Sequence, residues 1–256
     1  MNSSRVPQPV LEKLRSWPHE VLFATVSGAH LYGFESLDSD WDLRGAHIAP
    51  LRDVLTMSPP AESVELMEKN SDPEIDIVTH DVLKYFRMLV KNNGYVLEQV
   101  FSPLVVAGEA ELPELRAIAR RCMCKQHRHH FFHFGIDQWK AASATPTPTV
   151  KSLLYTYRPL LAGIRLMRTG EVESNLPRLN DDFRIPQIDD LIARKLAGDE
   201  RMKLAPAELE AHRPQFDRLC VELDEARDRS SLPEEPGGRD ELDDFLVRLR
   251  TRGRLR

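Results

Sequence analysis

Hydrophobic spacing changes period once along this chain, at Asp81, and that change limits the fold more than any other feature. Before it, apolar residues come in strand-length runs. Val21–Val26 is a short run of strand formers that stops at Ser27-Gly28, and Trp41–Ile48 is closed by Pro50. Ser63–Glu68 and Glu74–His80 are two more, with Asn70-Ser71-Asp72-Pro73 as the turn between them. An amphipathic helix over 8–17, with Val10, Leu11, Leu14 and Trp17 on one side, precedes them. After Asp81 the steps are three and four: Val82, Tyr85, Phe86, Leu89 and Val90. Helical patterns follow at 95–102, 112–133, 149–169, 187–197, 206–228 and 239–252. Strands first and helices afterwards predict an α+β fold, an N-terminal sheet with helices followed by a mainly helical C-terminal half. The expected domains are 1–105, a helical domain over 106–229, and 230–256 as a linker with a last helix. The linker is Ser230 to Gly238, rich in proline and glycine, and no internal repeat is present.

The 256 residues are 41% hydrophobic, enough for a sizeable core, and the net charge of −5 gives no general attraction to nucleic acid or anionic membrane. Any basic surface is therefore local. Three cysteines at irregular spacing (Cys122, Cys124 and Cys220) argue against a disulfide framework. No apolar run approaches the roughly 18 residues of a spanning helix, and the N-terminus lacks the apolar segment of a signal peptide. The expectation is a cytoplasmic, soluble chain with no membrane partner.

Chemistry concentrates in the stretch from Ser27 to Gly45. On a strand, residues two apart point the same way, so Asp40 and Asp42 project together, with Trp41 opposite. Adjacent carboxylates repel unless a cation sits between them. Mg²⁺ suits such a pair, since it is bound by one or two carboxylates plus substrate phosphates. Ser27-Gly28 after a buried strand is the complement: Gly28 permits close backbone approach, and exposed N–H groups there, with the Ser27 hydroxyl, suit phosphate oxygens. Either element alone is usually a plain turn or a solvated strand end. In this order, a dozen residues apart, they point to nucleotide chemistry.

A glycine-serine turn, a short helix and Asp-x-Asp on a strand resemble the DNA polymerase beta-like nucleotidyltransferase superfamily. The longer string, Ser27-Gly28 through Gly33 to Ser39-Asp40-Trp41-Asp42-Leu43-Arg44-Gly45, is similar to its predicted members associated with RNA repair. Lys84, Asn93-Gly94-Tyr95-Val96-Leu97-Glu98, Lys151, Tyr155, Arg158 and Gly170-Glu171 extend the resemblance over about 20–175. It implies a mixed-sheet nucleotidyltransferase core, an NTP donor, Mg²⁺ or Mn²⁺ as cofactor, and transfer of an NMP to a hydroxyl with release of pyrophosphate. It also implies Asp40 and Asp42 as metal-holding acids. Ser27, Gly28, Ala29, Arg44, Lys151 and Arg158 become candidate nucleotide contacts. Ala29 departs from the pattern, which usually has serine or glycine there; Ser27, on the other side of Gly28, is the substitute.

The superfamily also uses a third acid on a neighbouring strand. In Glu74–His80 the alternation puts Ile75, Ile77 and Thr79 on one face and Glu74, Asp76 and Val78 on the other. An acid between two isoleucines is costly to bury unpaired, and Asp76, ahead of Glu74, is the expected third acid and metal ligand. Arg44 shares the face of Asp42, where it reaches a phosphate or pairs with Asp42 itself. Lys151 and Arg158 lie seven residues apart on one helix face, a solvated face unless nucleotide covers it.

The acceptor is not written in the sequence: RNA, protein and small molecule all remain open. Residues 116–130 hold five Arg and Lys and no acid, followed by Phe131, Phe132 and Phe134, a pattern that suits RNA phosphates and bases but equally an ordinary charged helix face. His129 and His133 have helical ligand spacing, but Cys122 and Cys124 do not share a helix face with each other, which speaks against zinc. The rival functions are a non-catalytic nucleotide- or RNA-binding protein and an antitoxin-like regulator that modifies a protein target.

Overall fold

A computed structural model describes residues 6–69, 71–198 and 202–252. In chain order the elements are α1 (Gln8–Arg15), β1 (Glu20–Val26), α2 (Gly28–Tyr32), β2 (Trp41–Ile48), α3 (Leu51–Val54), β3 (Ser63–Glu68), β4 (Ile75–Asp81), α4 (Val82–Val90), α5 (Gly94–Phe101), β5 (Val105–Ala107) and α6 (Leu112–Cys122). Then come α7 (His127–Ala144), α8 (Val150–Thr169), α9 (Leu176–Phe183), α10 (Pro186–Ala197), α11 (Pro206–Ala211), α12 (Arg213–Asp228) and α13 (Arg239–Thr251). The fold is α+β, with the sheet in the N-terminal half. Asn70, at the start of the turn expected before β4, lies outside the described residues.

The chain forms two compact units. One takes the residues up to 28, 40–123 and those from 236 onward, and holds a mixed five-stranded sheet of order β3-β4-β2-β1-β5. The β2–β4 pair is parallel and the other pairs are antiparallel. Inner strand β1 is buried from Leu22 to Val26 because both its faces are covered, which is why it reads as an unbroken apolar run. On one side Val10 and Leu14 of α1 pack with Ala24, Leu43, Ile75 and Ile77. On the other, Phe23 meets the ring of Tyr85 from α4 edge-on at 5.3 Å. Asp81 ends β4 and caps α4, its carboxylate accepting from Leu83 N–H at 3.0 Å and Ala49 N–H at 3.2 Å. The same acid pairs with Arg250 of α13, both side chains 8% exposed.

The second unit takes 29–39 and 124–235 and is helical. Its centre is α8, packed by α7, α9, α10 and α12. Thr149 and Ser152 form a reciprocal capping box at its start, and Gly170, with φ of 69°, ends it in the left-handed conformation. α7 and α12 approach α8 closely: a methyl group on Gly163 would lie 2.7 Å from Phe131 Cβ and 3.1 Å from Leu223 Cδ1.

Two expected helices divide. The pattern at 112–133 becomes α6 and α7, because the chain is extended at Met123, where α6 ends. The pattern at 206–228 becomes α11 and α12, with Pro214 fitting the first turn of the second. Among the described residues no helix is long and apolar enough to cross a membrane.

Candidate functional site

The parallel β2–β4 pairing sets Asp42 opposite Asp76, Leu43 opposite Ile77 and Arg44 opposite Val78. Leu43 and Ile77 face the α1 cluster, so Asp42, Arg44 and Asp76 share the other face of the sheet. Two carboxylates in register on neighbouring strands repel, and Arg44 answers that charge. Its Nη2 donates to Asp42 Oδ1 at 3.0 Å and to Asp76 Oδ2 at 2.7 Å. Nη1 donates to the backbone carbonyls of Leu43 and Asp76, at 2.9 and 2.8 Å. Nε donates to the hydroxyl of Tyr95 at 2.9 Å. Side-chain exposure is 14% for Arg44, 22% for Asp42 and 20% for Asp76, so these charges are only partly screened by water. Burial opposes the guanidinium charge, but Tyr95, Asp42 and Asp76 outweigh it and raise the Arg44 pKa.

Gly28 lies directly behind the Asp42 carboxylate. Its φ is +60°, and an added Cβ would fall 1.9 Å from Asp42 Oδ2. Only glycine satisfies both the backbone angle and the space. Ser27 is buried, and its N–H is already spent on the Asp42 carbonyl at 2.8 Å. Asp40 is half-buried one residue ahead of β2, and Glu74 is exposed one residue ahead of β4, its carbonyl accepting from Trp41 N–H. Further along the same β4 face, burial and then Lys84 and Arg44 push His80 down to about 4, so that imidazole is neutral at physiological pH.

Ala29, Lys151 and Arg158 belong to the helical unit. Ala29 is buried in α2, its carbonyl accepting from the N–H groups of Gly33 and Phe34. Lys151 Nζ stands 5.6 Å from the Tyr155 ring centre. The solvated face expected for Arg158 is not found: the side chain is buried, with its guanidinium 3.9 Å from the Tyr32 ring centre and 5.7 Å from that of Phe134. The aromatic faces attract the cation and shield it from water.

The basic stretch is largely paired. Arg116 donates to the carbonyls of Val100 and Ser102, Arg121 pairs with Glu241, Lys125 with Glu234 and Arg128 with Asp224, while Arg120 lies over the Phe101 ring. Among the described residues no three His, Cys, Asp or Glu side chains gather into one metal set, and Cys122, Cys124 and Cys220 are not joined in disulfides. What the sheet does bring together is the pair Asp42 and Asp76. Sequence reasoning gave no site role to Tyr95, which is 51 residues from Arg44. The signal available for it is Asn93, whose side chain caps α5 and fixes Tyr95 in its first turn.

Two comparisons bear on this site. A family model described as "RlaP: RNA repair pathway DNA polymerase beta family" matches residues 5–248. The chain is also 28% identical over 224 residues to an uncharacterized protein of Methanocaldococcus jannaschii, MJ0002, a match covering 84% of this chain and 88% of that one. With the match running over nearly its whole length, the chain belongs to the RNA repair pathway DNA polymerase beta family, RlaP.

Proposed function

We propose that this protein transfers an NMP from an NTP to a hydroxyl acceptor, with release of pyrophosphate, on the sheet face that carries Asp42, Arg44 and Asp76. One observation carries the reading: two carboxylates stand in register on adjacent strands, against a glycine with no room for a side chain. Hard carboxylate oxygens are the donors that Mg²⁺ and Mn²⁺ take, and with one guanidinium between two acids the group keeps a net negative charge. Asp40 and Asp42 would hold the ion that the nucleotide takes, and Asp42 and Asp76 a second one. When bound, the metal supplies charge neutralisation for in-line displacement at the α-phosphorus.

The chain's own residues do the rest. Arg44 keeps the two carboxylates together, and Gly28 leaves space at Asp42. The Ser27 hydroxyl and the backbone after it donate to phosphate oxygens, next to Ala29. Asp76 takes the proton of the acceptor hydroxyl. That oxygen bonds to the α-phosphorus, the bond from the α-phosphorus to the bridging oxygen breaks, and pyrophosphate leaves. Catalysis of this kind is mainly positioning and electrostatics.

The family's association with RNA repair makes an RNA hydroxyl the first acceptor to try. The test offers each α-labelled NTP, with Mg²⁺ or Mn²⁺, to RNA, to the protein itself and to small-molecule hydroxyls. The expected result is label transferred by wild type and not by Asp42→Asn. Tight NTP binding with no transfer to any acceptor would favour a binding protein that has lost turnover. Label transferred only to protein would favour a regulator that modifies a protein target.

A further inference from the structure

A guanidinium has five N–H groups, and Arg44 spends five bonds inside the chain: two on carboxylates, two on the backbones of β2 and β4, and one on Tyr95. An incoming phosphate would have to break one of these to be bound. The two backbone bonds go to Leu43 of β2 and Asp76 of β4, so the side chain ties the parallel strands as well as the acids. Lysine could supply the charge but not the flat fork that reaches five acceptors.

We infer that Arg44, buttressed by Tyr95, is a positioning residue and not a nucleotide contact: it is the resident countercharge that holds Asp42 and Asp76 side by side and fixes their carboxylates for a divalent ion. This rests on the metal-dependent reading of the same face. The physical reason is charge balance. Two acids in register carry two negative charges in a partly buried place, and the guanidinium cancels one. A bound divalent ion and Arg44 therefore act in the same direction on the pair. Removing Arg44 transfers its task to the ion.

Thermal unfolding with Mg²⁺ as the only added ligand tests this without nucleotide or turnover. Arg44→Gln is expected to melt below wild type in EDTA, and Mg²⁺ is expected to raise its midpoint by more than it raises that of wild type. An equal or smaller Mg²⁺ response would overturn the inference. Should Arg44→Gln not fold, Arg44→Met, which likewise removes the charge but keeps most of the side chain's bulk, carries the same comparison, and a Mg²⁺ response equal to wild type overturns it there. With NTP, Tyr95→Phe should lower kcat roughly fivefold while KM changes less than about twofold, as for a group that acts on positioned acids. A raised KM with unchanged kcat would instead make Arg44 a phosphate contact. If wild type shows no turnover at all, the Mg²⁺ arm still decides the role of Arg44, and that failure counts only against nucleotidyl transfer.

Discussion

Gly28 is the glycine that the proposed site depends on, and it has little room to change. Alanine there must adopt φ of +60°, at ~1 kcal/mol or more, and must displace the Asp42 carboxylate from a position 1.9 Å away. Gly28→Ala is expected to lose ~1–2 kcal/mol in urea denaturation and, with it, Mg²⁺-dependent NTP binding; native stability with native affinity would contradict the role given to Gly28. Asp76 and Glu74 are separated by kinetics. Asp76→Asn should cut turnover on the order of 100-fold, the scale of a lost general base, with NTP affinity little changed. Glu74→Gln should be nearly silent, since Glu74 is exposed ahead of the strand; a damaging Glu74→Gln would move the third acid by two residues. Residue by residue, the sheet face was legible because period-two alternation survives in β4, where Ile75, Ile77 and Thr79 are buried and Asp76 is not. The Arg44–Tyr95 bond was not legible, because it joins a strand to a helix 51 residues on and no local pattern encodes such a pairing.

At the scale of elements, the strands before Asp81 could be read closely: β2 and β3 have the bounds their composition predicts, since turn residues bracket each run. Helix ends were harder. The break between α6 and α7 falls at Met123 to Gln126, where Cys-Lys-Gln carries no proline or glycine to mark it. β5 escaped notice because three residues, Val105–Ala107, are too few to show a period. α9 escaped although Asn175 and Pro177 are ordinary start signals, because its eight residues put only Leu176 and Leu179 into the core as apolar anchors. Packing between helices makes its own prediction. Gly163→Ala raises helix propensity by up to ~1 kcal/mol but forces Phe131 aside, and overpacking typically costs ~1–3 kcal/mol. Net destabilisation in a denaturant titration is expected, and a stabilised Gly163→Ala would mean that α7 yields at no cost.

Across the whole molecule, acid should unfold the protein in stages. Burial first, with neighbouring positive charge, lowers His47, His80, His127 and His130 to about 4. The unfolded chain then takes up protons near 6.5 that the folded chain refuses, so this stability is full above 6.5 and is lost as pH falls toward 4. His127, fully buried, alone tilts the curve by up to ~1.4 kcal/mol per pH unit in that window. Asp81 acts lower: burial raises its pKa, but its bonds to Arg250 and the backbone outweigh this and depress it, so its contribution is lost only as pH falls below the ordinary carboxylate range. Melting midpoints from pH 8 to 4 should be level above 6.5 and fall below it, and a level curve down to pH 4 would remove the buried neutral histidines. At this scale the function proposed is nucleotide binding through a metal held at Asp42. Its most direct test is a calorimetric titration of the full chain with a non-hydrolysable NTP, with and without Mg²⁺, for wild type and Asp42→Asn. Wild type should bind with Mg²⁺ and much more weakly without it, and Asp42→Asn should lose the Mg²⁺-dependent part while keeping its fold. Equal affinity of the two proteins with Mg²⁺ present would contradict a metal-dependent nucleotide site at Asp42.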